Sequence, residues 1–231
     1  MIPIAHIHSP FPSKFGIPRQ SNIVESLKAN IVFEPDYRNI EALRGIEEFS
    51  YIWLIWQFSE NMDSPWSPTV RPPRLGGNKR MGVFATRSPF RPNPIGLSSV
   101  RLTEVLHHTS EGPQLIIEGP DLMDGTPIYD IKPYIPYTDA HPDARSGFAS
   151  TPNNSKLRVT IPDDISRTLD PVMLQSLREL LALDPRPSYH DDTNRIYGLP
   201  FYHYEIHFRV DKEHLIVTSI ADNTIKNEGQ I

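Results

Sequence analysis

Proline limits how this chain can fold more than any other residue. The 231 residues include 24 prolines, about one in ten, against a usual share of about 5%. Each interior proline removes a helical donor, and its ring collides with the preceding turn. That disfavours a helical bundle or a coiled coil. What remains between the prolines is short apolar runs of strand length. Met1 to His8 alternates loosely, Ile31 to Phe33 is a brief strand, and Tyr51 to Phe58 reads as a buried strand of aromatic and branched residues. Ile95 to Leu106, Gln114 to Glu118 and Ile128 to Ile135 follow, with a further short strand at Gly82 to Thr86. Asn39 to Phe49 has Ile40, Leu43 and Ile46 spaced by three, which predicts a short helix weakened by Gly45. Short strands separated by Pro and Gly predict a barrel or a sandwich.

The character changes after residue 139. Asp139 to Lys156 is polar and reads as a linker. Pro171 to Leu183 is predicted as a helix, with Asp170 as N-cap, Pro171 in the first turn and Leu174, Leu177 and Leu181 on one face. Phe201 to Val210 and His214 to Ile220 read as two strands joined by a hairpin at 211–213. The expected architecture is mainly β: a small antiparallel β-barrel domain over residues 1–140, a linker over 141–156, and a small α+β appendage over 157–231.

The chain has no cysteine, which removes disulfides, zinc–thiolate sites and a thiol nucleophile. His6 and His8 alternate on one strand without a third ligand, so no metal is expected. The N-terminus lacks the pattern of a signal peptide. The longest apolar run is far shorter than the ~18–20 residues of a membrane span. A soluble, cytoplasmic protein is expected. No G-x-S-x-G elbow, phosphate loop or G-x-G-x-x-G fingerprint is present.

The net charge is −5, yet Arg71 to Thr103 contains Arg71, Arg74, Lys79, Arg80, Arg87, Arg91 and Arg101 and no acid. Such a block makes a local positive field, and arginine's planar fork suits carboxylate and phosphate. The other reading is a solvated loop with scattered surface arginines. Asp121 to Pro127 supplies two carboxylates near a hairpin signal at Asp124-Gly125; carboxylates suit a ribose diol or a sulfonium. Tyr129, Asp130, Lys132, Tyr134 and Tyr137 mix aromatic rings with charges. They read either as a half-exposed strand or as a base-stacking surface, at ~1–3 kcal/mol per ring.

Three stretches carry a resemblance. Arg71 to Gly77 reads RPPRLGG, Met81 to Gly96 reads MGVFATRSPFRPNPIG, and Asp121 to Pro133 reads DLMDGTPIYDIKP. With Pro18-Arg19-Gln20, these resemble the TsaA-like family, also called TrmO, over roughly residues 1–140; the appendage resembles the C-terminal part of bacterial members. The resemblance implies a small antiparallel β-barrel acting as a homodimer. It implies S-adenosylmethionine as cofactor and methylation at N6 of threonylcarbamoyladenosine 37, beside the anticodon of threonine tRNA. It places the cofactor against Gln20, Ser21 and Asn22, Ser59 and Glu60, Arg87, Leu97, and Pro120, Asp121, Leu122 and Met123. Where the family often has Gln-Pro-Gly this chain has Gln20-Ser21-Asn22, and Ser59-Glu60 replaces a frequent His-Gln. Backbone contacts survive such changes; side-chain contacts do not. Asp121, Asp124 and Asp130 are the candidate catalytic acids. Arg71, Arg74, Lys79, Arg80, Arg91, Asn93, Lys132 and Tyr134 are the candidate tRNA contacts. The alternatives are a non-catalytic module that binds RNA or a small anion, and a methyltransferase acting on another acceptor.

Overall fold

The structure is a computed structural model, and it describes residues 1–150, 156–186 and 192–224. Strands β1 (Ala5–His8), β2 (Lys28–Phe33) and β3 (Tyr51–Gln57) come first, then the two-residue strands β4 (Thr69–Val70) and β5 (Met81–Gly82). The long strand β6 (Ile95–Leu106), β7 (Gln114–Glu118) and β8 (Pro127–Pro133) follow. Six of these close into an antiparallel barrel in the order β1-β2-β7-β6-β3-β8, while β4 and β5 form a separate ribbon. Closure leaves the barrel no unpaired edge.

Alternation explains the barrel. Along β3, Ile52, Leu54 and Trp56 are buried while the residues between them point outward. On β6, Gly96, Ser98, Val100 and Leu102 are the buried set. Full burial of each Leu or Ile contributes about 1.5–3 kcal/mol. The register places Gly96 opposite Trp56. A Cβ there would lie 2.2 Å from the indole, so only glycine fits. The Trp56 indole N–H donates to Ser98 Oγ at 3.0 Å and is thereby satisfied inside the barrel.

The chain divides into two compact units that are not continuous in sequence. The first holds Met1–His8, Asn30–Ile117 and the stretch beginning at Gly125. The second combines Ser9–Ala29, Glu118–Asp124 and the C-terminal part of the chain. The one-turn helix α1 (Pro136–Asp139) belongs to the first unit; in the second, after the one-turn helix α2 (Asp163–Ser166), the main helix is α3 (Pro171–Ala182). Its sheet contains β9 (Arg158–Thr160), β10 (Tyr197–Phe201), β11 (Tyr204–Asp211) and β12 (His214–Asp222), in the order β10-β11-β12-β9. Asp170 caps α3 as expected, its Oδ1 accepting from the N–H groups of Val172 at 2.8 Å and Met173 at 3.3 Å. The core of this unit joins Phe11, Val24 and Leu27 to Leu177, Leu181, Phe201 and Phe208, among others.

Four local expectations are corrected. Asn39 to Phe49 is not a helix but two 3-10 turns, Ile40–Leu43 and Ile46–Glu48, because Gly45 at φ 84° breaks the run in the left-handed region. The strand expected at Gly82 to Thr86 ends at Gly82, and Val83–Ala85 turns as a 3-10 segment. The strand expected from Phe201 is divided by a turn at Tyr202, at φ 52°, into β10 and β11. Within the expected linker, Gly147–Ala149 forms a 3-10 turn, and residues 151–155 lie outside the described residues.

Candidate functional site

The site residues expected from sequence fall into both compact units, and each group has its own geometry. In the second unit, the loop after β7 is locked by its backbone. Gly119 sits at φ 69°, and a Cβ there would lie 2.8 Å from the Asn22 carboxamide and 2.9 Å from its backbone. The Gly119 N–H donates to the Leu27 carbonyl, and its own carbonyl accepts from the Asn22 N–H, both at 2.9 Å. Asn22 itself adopts φ 61°, a conformation that asparagine tolerates better than most residues. The structure thus brings Asn22, which follows Gln20 and Ser21, against Gly119, the residue before Pro120.

The acidic loop is equally fixed. Leu122 is buried, its carbonyl accepting from Ser9 Oγ at 2.8 Å. The Ser9 N–H donates to Asp124 Oδ1 at 3.0 Å, and the Asp124 N–H donates to the Phe11 carbonyl at 2.8 Å. One oxygen of Asp124 is therefore already engaged in holding the loop. Asp121 and Met123 are half-buried beside Leu122. Ser9 and Gly119 are parts of this site that sequence reasoning missed; the positive φ of Gly119 is the signal behind one of them.

In the first unit, Ser59–Asn61 is a 3-10 turn directly after β3, with Ser59 half-buried and Glu60 exposed. The preceding Phe58 N–H donates to the Pro94 carbonyl at 2.8 Å, which fastens this turn to the start of β6. Leu97 pairs with Ile55, and Ile55 pairs on its other side with Asp130. Leu97 and Asp130 therefore lie on one outward row across three strands, and Leu97 is 55% exposed. Asp130 holds Lys132 at 2.8 Å. The register shifts beside Asp130, and in the shifted segment the Tyr129 hydroxyl donates to the Gln57 carboxamide oxygen. Tyr134 packs against Trp53 and Tyr51, with ring centroids 5.5 and 6.2 Å apart. Asp139 Oδ2 accepts from the Trp53 indole N–H and the Ile135 N–H, both at 2.9 Å. Those two donors hold its carboxyl below the usual carboxylate range, the Ile135 N–H having the larger effect.

The basic block lies largely on the ribbon β4–β5 and the loop after it. Arg71, Arg74, Lys79 and Arg80 are all exposed in the ten-residue tip between those strands. Among the described residues none of the four meets a carboxylate. Arg87 is exposed in the following loop, whereas Arg91 turns inward: its Nη1 donates to the Thr86 carbonyl at 2.8 Å. The Asn93 carbonyl accepts from the Ile95 N–H at 2.8 Å, while the residue as a whole is exposed. Among the described residues, no three His, Cys, Asp or Glu side chains converge as metal ligands, and no helix is long and apolar enough to cross a membrane.

Chemically, these parts supply an exposed guanidinium for a carboxylate, an acidic loop for a ribose diol and exposed Leu97 for an apolar ring. The ribbon adds a charged surface for a polyanion. Comparison with known proteins bears on which ligands those are. The family model of the tRNA-methyltransferase O N-terminal domain matches residues 6–140, and that of the TrmO C-terminal domain matches residues 155–223. A tRNA (adenine(37)-N6)-methyltransferase of Escherichia coli K12 is 41% identical over 215 residues, covering 90% of this chain and 91% of the relative. A Pseudomonas aeruginosa relative described as a candidate S-adenosylmethionine-dependent methyltransferase is 39% identical over 222 residues, covering 93% and 94%. The crystal structure of TrmO from Pseudomonas aeruginosa superposes with a TM-score of 0.73 at 33% identity, covering 95% of this chain and 97% of that one.

Proposed function

The chain belongs to the tRNA-methyltransferase O family, and from that premise we propose that its acceptor is N6 of threonylcarbamoyladenosine 37 in threonine tRNA. Its activity is that of an S-adenosylmethionine-dependent tRNA (adenine-N6)-methyltransferase. When bound, S-adenosylmethionine supplies an electrophilic methyl carbon on a sulfonium.

This chain's residues bind and orient. Gln20, Ser21 and Asn22, with Pro120, Asp121, Leu122 and Met123, would hold the cofactor. Leu122 and Asn22 act there through backbone, since Leu122 is buried and Asn22 is fixed by its contact with Gly119. Ser59, Glu60, Arg87 and Leu97 are assigned to the cofactor too, with Arg87 taking a carboxylate. The N6 of a threonylcarbamoyl group has a delocalised lone pair and carries a proton. One of Asp121, Asp124 and Asp130 supplies the carboxylate that accepts or orients that proton. Orientation is the larger requirement, because the reacting atoms must be held about 3 Å apart and in line.

The observation that carries the tRNA reading is the acid-free ribbon. Four exposed cations on a tip stiffened by Pro72 and Pro73 match a phosphate backbone. A homodimer would present that tip twice. Residues 1–140 form the catalytic domain in this reading, with 141–156 as linker, 157–231 as the accessory domain and the cytoplasm as the place of action.

Methyl incorporation into tRNA carrying threonylcarbamoyladenosine, read by mass spectrometry of its nucleosides, tests the assignment. Arg87→Ala is expected to lower incorporation at least tenfold. Activity close to wild type would remove Arg87 from the site. Equal methylation of tRNA with unmodified adenosine 37 would remove the threonylcarbamoyl acceptor.

A further inference from the structure

Phe84 is 73% exposed, among the most exposed large apolar side chains in the protein. It is not on a loose segment. It occupies the middle of the 3-10 turn Val83–Ala85, whose Val83 is buried at 1% exposure. The Val83 N–H donates to the Pro68 carbonyl at 3.0 Å, and the Ser67 N–H donates to the Phe90 carbonyl at 3.3 Å. These two bonds fasten both ends of the loop to the segment that carries Trp66, itself 53% exposed. Inside the loop, Thr86 Oγ1 donates to the Val83 carbonyl at 2.8 Å and accepts from the Ser88 N–H at 3.2 Å.

Arg91 completes the brace. Its Nη1 donates to the Thr86 carbonyl at 2.8 Å and stands 3.5 Å from the carbonyls of Val83 and Ser88. Its guanidinium carbon lies 5.8 Å from the centroid of the Phe84 ring, within the range of a cation–π contact. A planar cation pinned by backbone carbonyls thus supports an aromatic ring that buries little of itself within the chain. The ring contributes almost no folding stability where it stands, and the backbone that carries it is already fixed when a partner meets it.

We infer that Phe84 is a stacking platform for a base of the RNA substrate, with Arg91 as the residue that positions it. The inference rests on the tRNA reading above and names one contact within it. Charge complementarity selects the occupant: Phe84 lies in the stretch Arg71 to Thr103, which holds seven cations and no acid. An aromatic ring flanked by arginines on a stiff loop is the arrangement that takes an unpaired base beside its phosphates. A second copy of this chain would bring the same positive charge to the patch and is disfavoured there.

The test is equilibrium binding of tRNA to the full chain across a range of salt concentrations. Phe84→Ala and Phe84→Leu are expected to weaken binding roughly five- to 150-fold, the range of a base–aromatic stack. Phe84→Tyr should stay within about threefold. The slope of log affinity against log salt should not move, since no charge is removed. Arg91→Lys keeps the charge but loses the fork, and should reproduce part of the loss at the same slope. S-adenosylmethionine affinity by calorimetry should be unchanged in the Phe84 variants. Three results would overturn the inference: Leu serving as well as Phe, Ala binding tRNA like wild type, or Phe84→Ala halving the molecular mass in solution, which assigns the ring to a subunit interface. Wild-type protein that neither binds nor methylates tRNA would instead overturn the parent reading.

Discussion

Two loops of this protein, one acidic and one basic, are both punctuated by Pro and Gly and put their polar groups to opposite uses. The loop Gly119 to Gly125 holds itself: Ser9 alone contributes two hydrogen bonds to it, and its central Leu122 is buried. The ribbon tip from Arg71 to Arg80 has turn bonds such as Leu75 N–H to the Pro72 carbonyl at 3.0 Å, and its four cations face solvent. Both are assigned to ligands, yet a ligand meets a shape in one and a charge in the other. Substitutions in the first should therefore disturb the fold, and substitutions in the second should disturb binding alone.

The largest expected effect is on the first loop. Leu122→Ala should lower stability by about 2–5 kcal/mol, the cost of removing a buried leucine, measured by denaturant unfolding. A midpoint equal to wild type would break the contrast. Next comes replacement of Arg71, Arg74, Lys79 and Arg80 by alanine together. Binding of tRNA at low salt should weaken on the order of a hundredfold, and the salt slope should shrink by about three. Unfolding should stay within about 0.5 kcal/mol of wild type; a larger loss would mean the tip is structural.

The smallest effect sharpens the same distinction at Asp139, whose carboxylate is engaged internally. Its folded pKa lies below the ordinary 3.8 because the Ile135 N–H and the Trp53 indole favour the charged form. The stabilisation is therefore present above pH 3.8 and is lost as pH falls through the lowered value. Asp139→Asn should be less stable than wild type at neutral pH, and the gap should close in the acid range. A gap independent of pH would assign the effect to shape rather than charge.

Much of the architecture could be read from sequence because it depends on local patterns. The outward and inward sets of β3 follow strict alternation, and α3 carries both its cap and its first-turn proline. β9 escaped notice since three residues show no period, and its parallel pairing with β12 is non-local. The break at Gly45 needed a backbone angle, not a spacing. At the site, the basic block and the acidic loop were visible as composition. The inward turn of Arg91 was not, because its acceptors are backbone carbonyls that any residues supply. Arg87 and Arg91 look alike in the sequence, yet one is exposed and the other braces a loop.

The second unit's core imposes a timetable on synthesis. Apart from one another and Phe15 and Ile17, Phe11, Val24 and Leu27 share their core with residues no earlier than Leu157, so these apolar side chains leave the ribosome long before most of their partners exist. At roughly 5–20 residues per second, they wait on the order of ten seconds. During that interval the nascent chain carries a greasy N-terminal segment that only a chaperone or transient collapse can shield. A message truncated in the linker would leave that segment permanently uncovered.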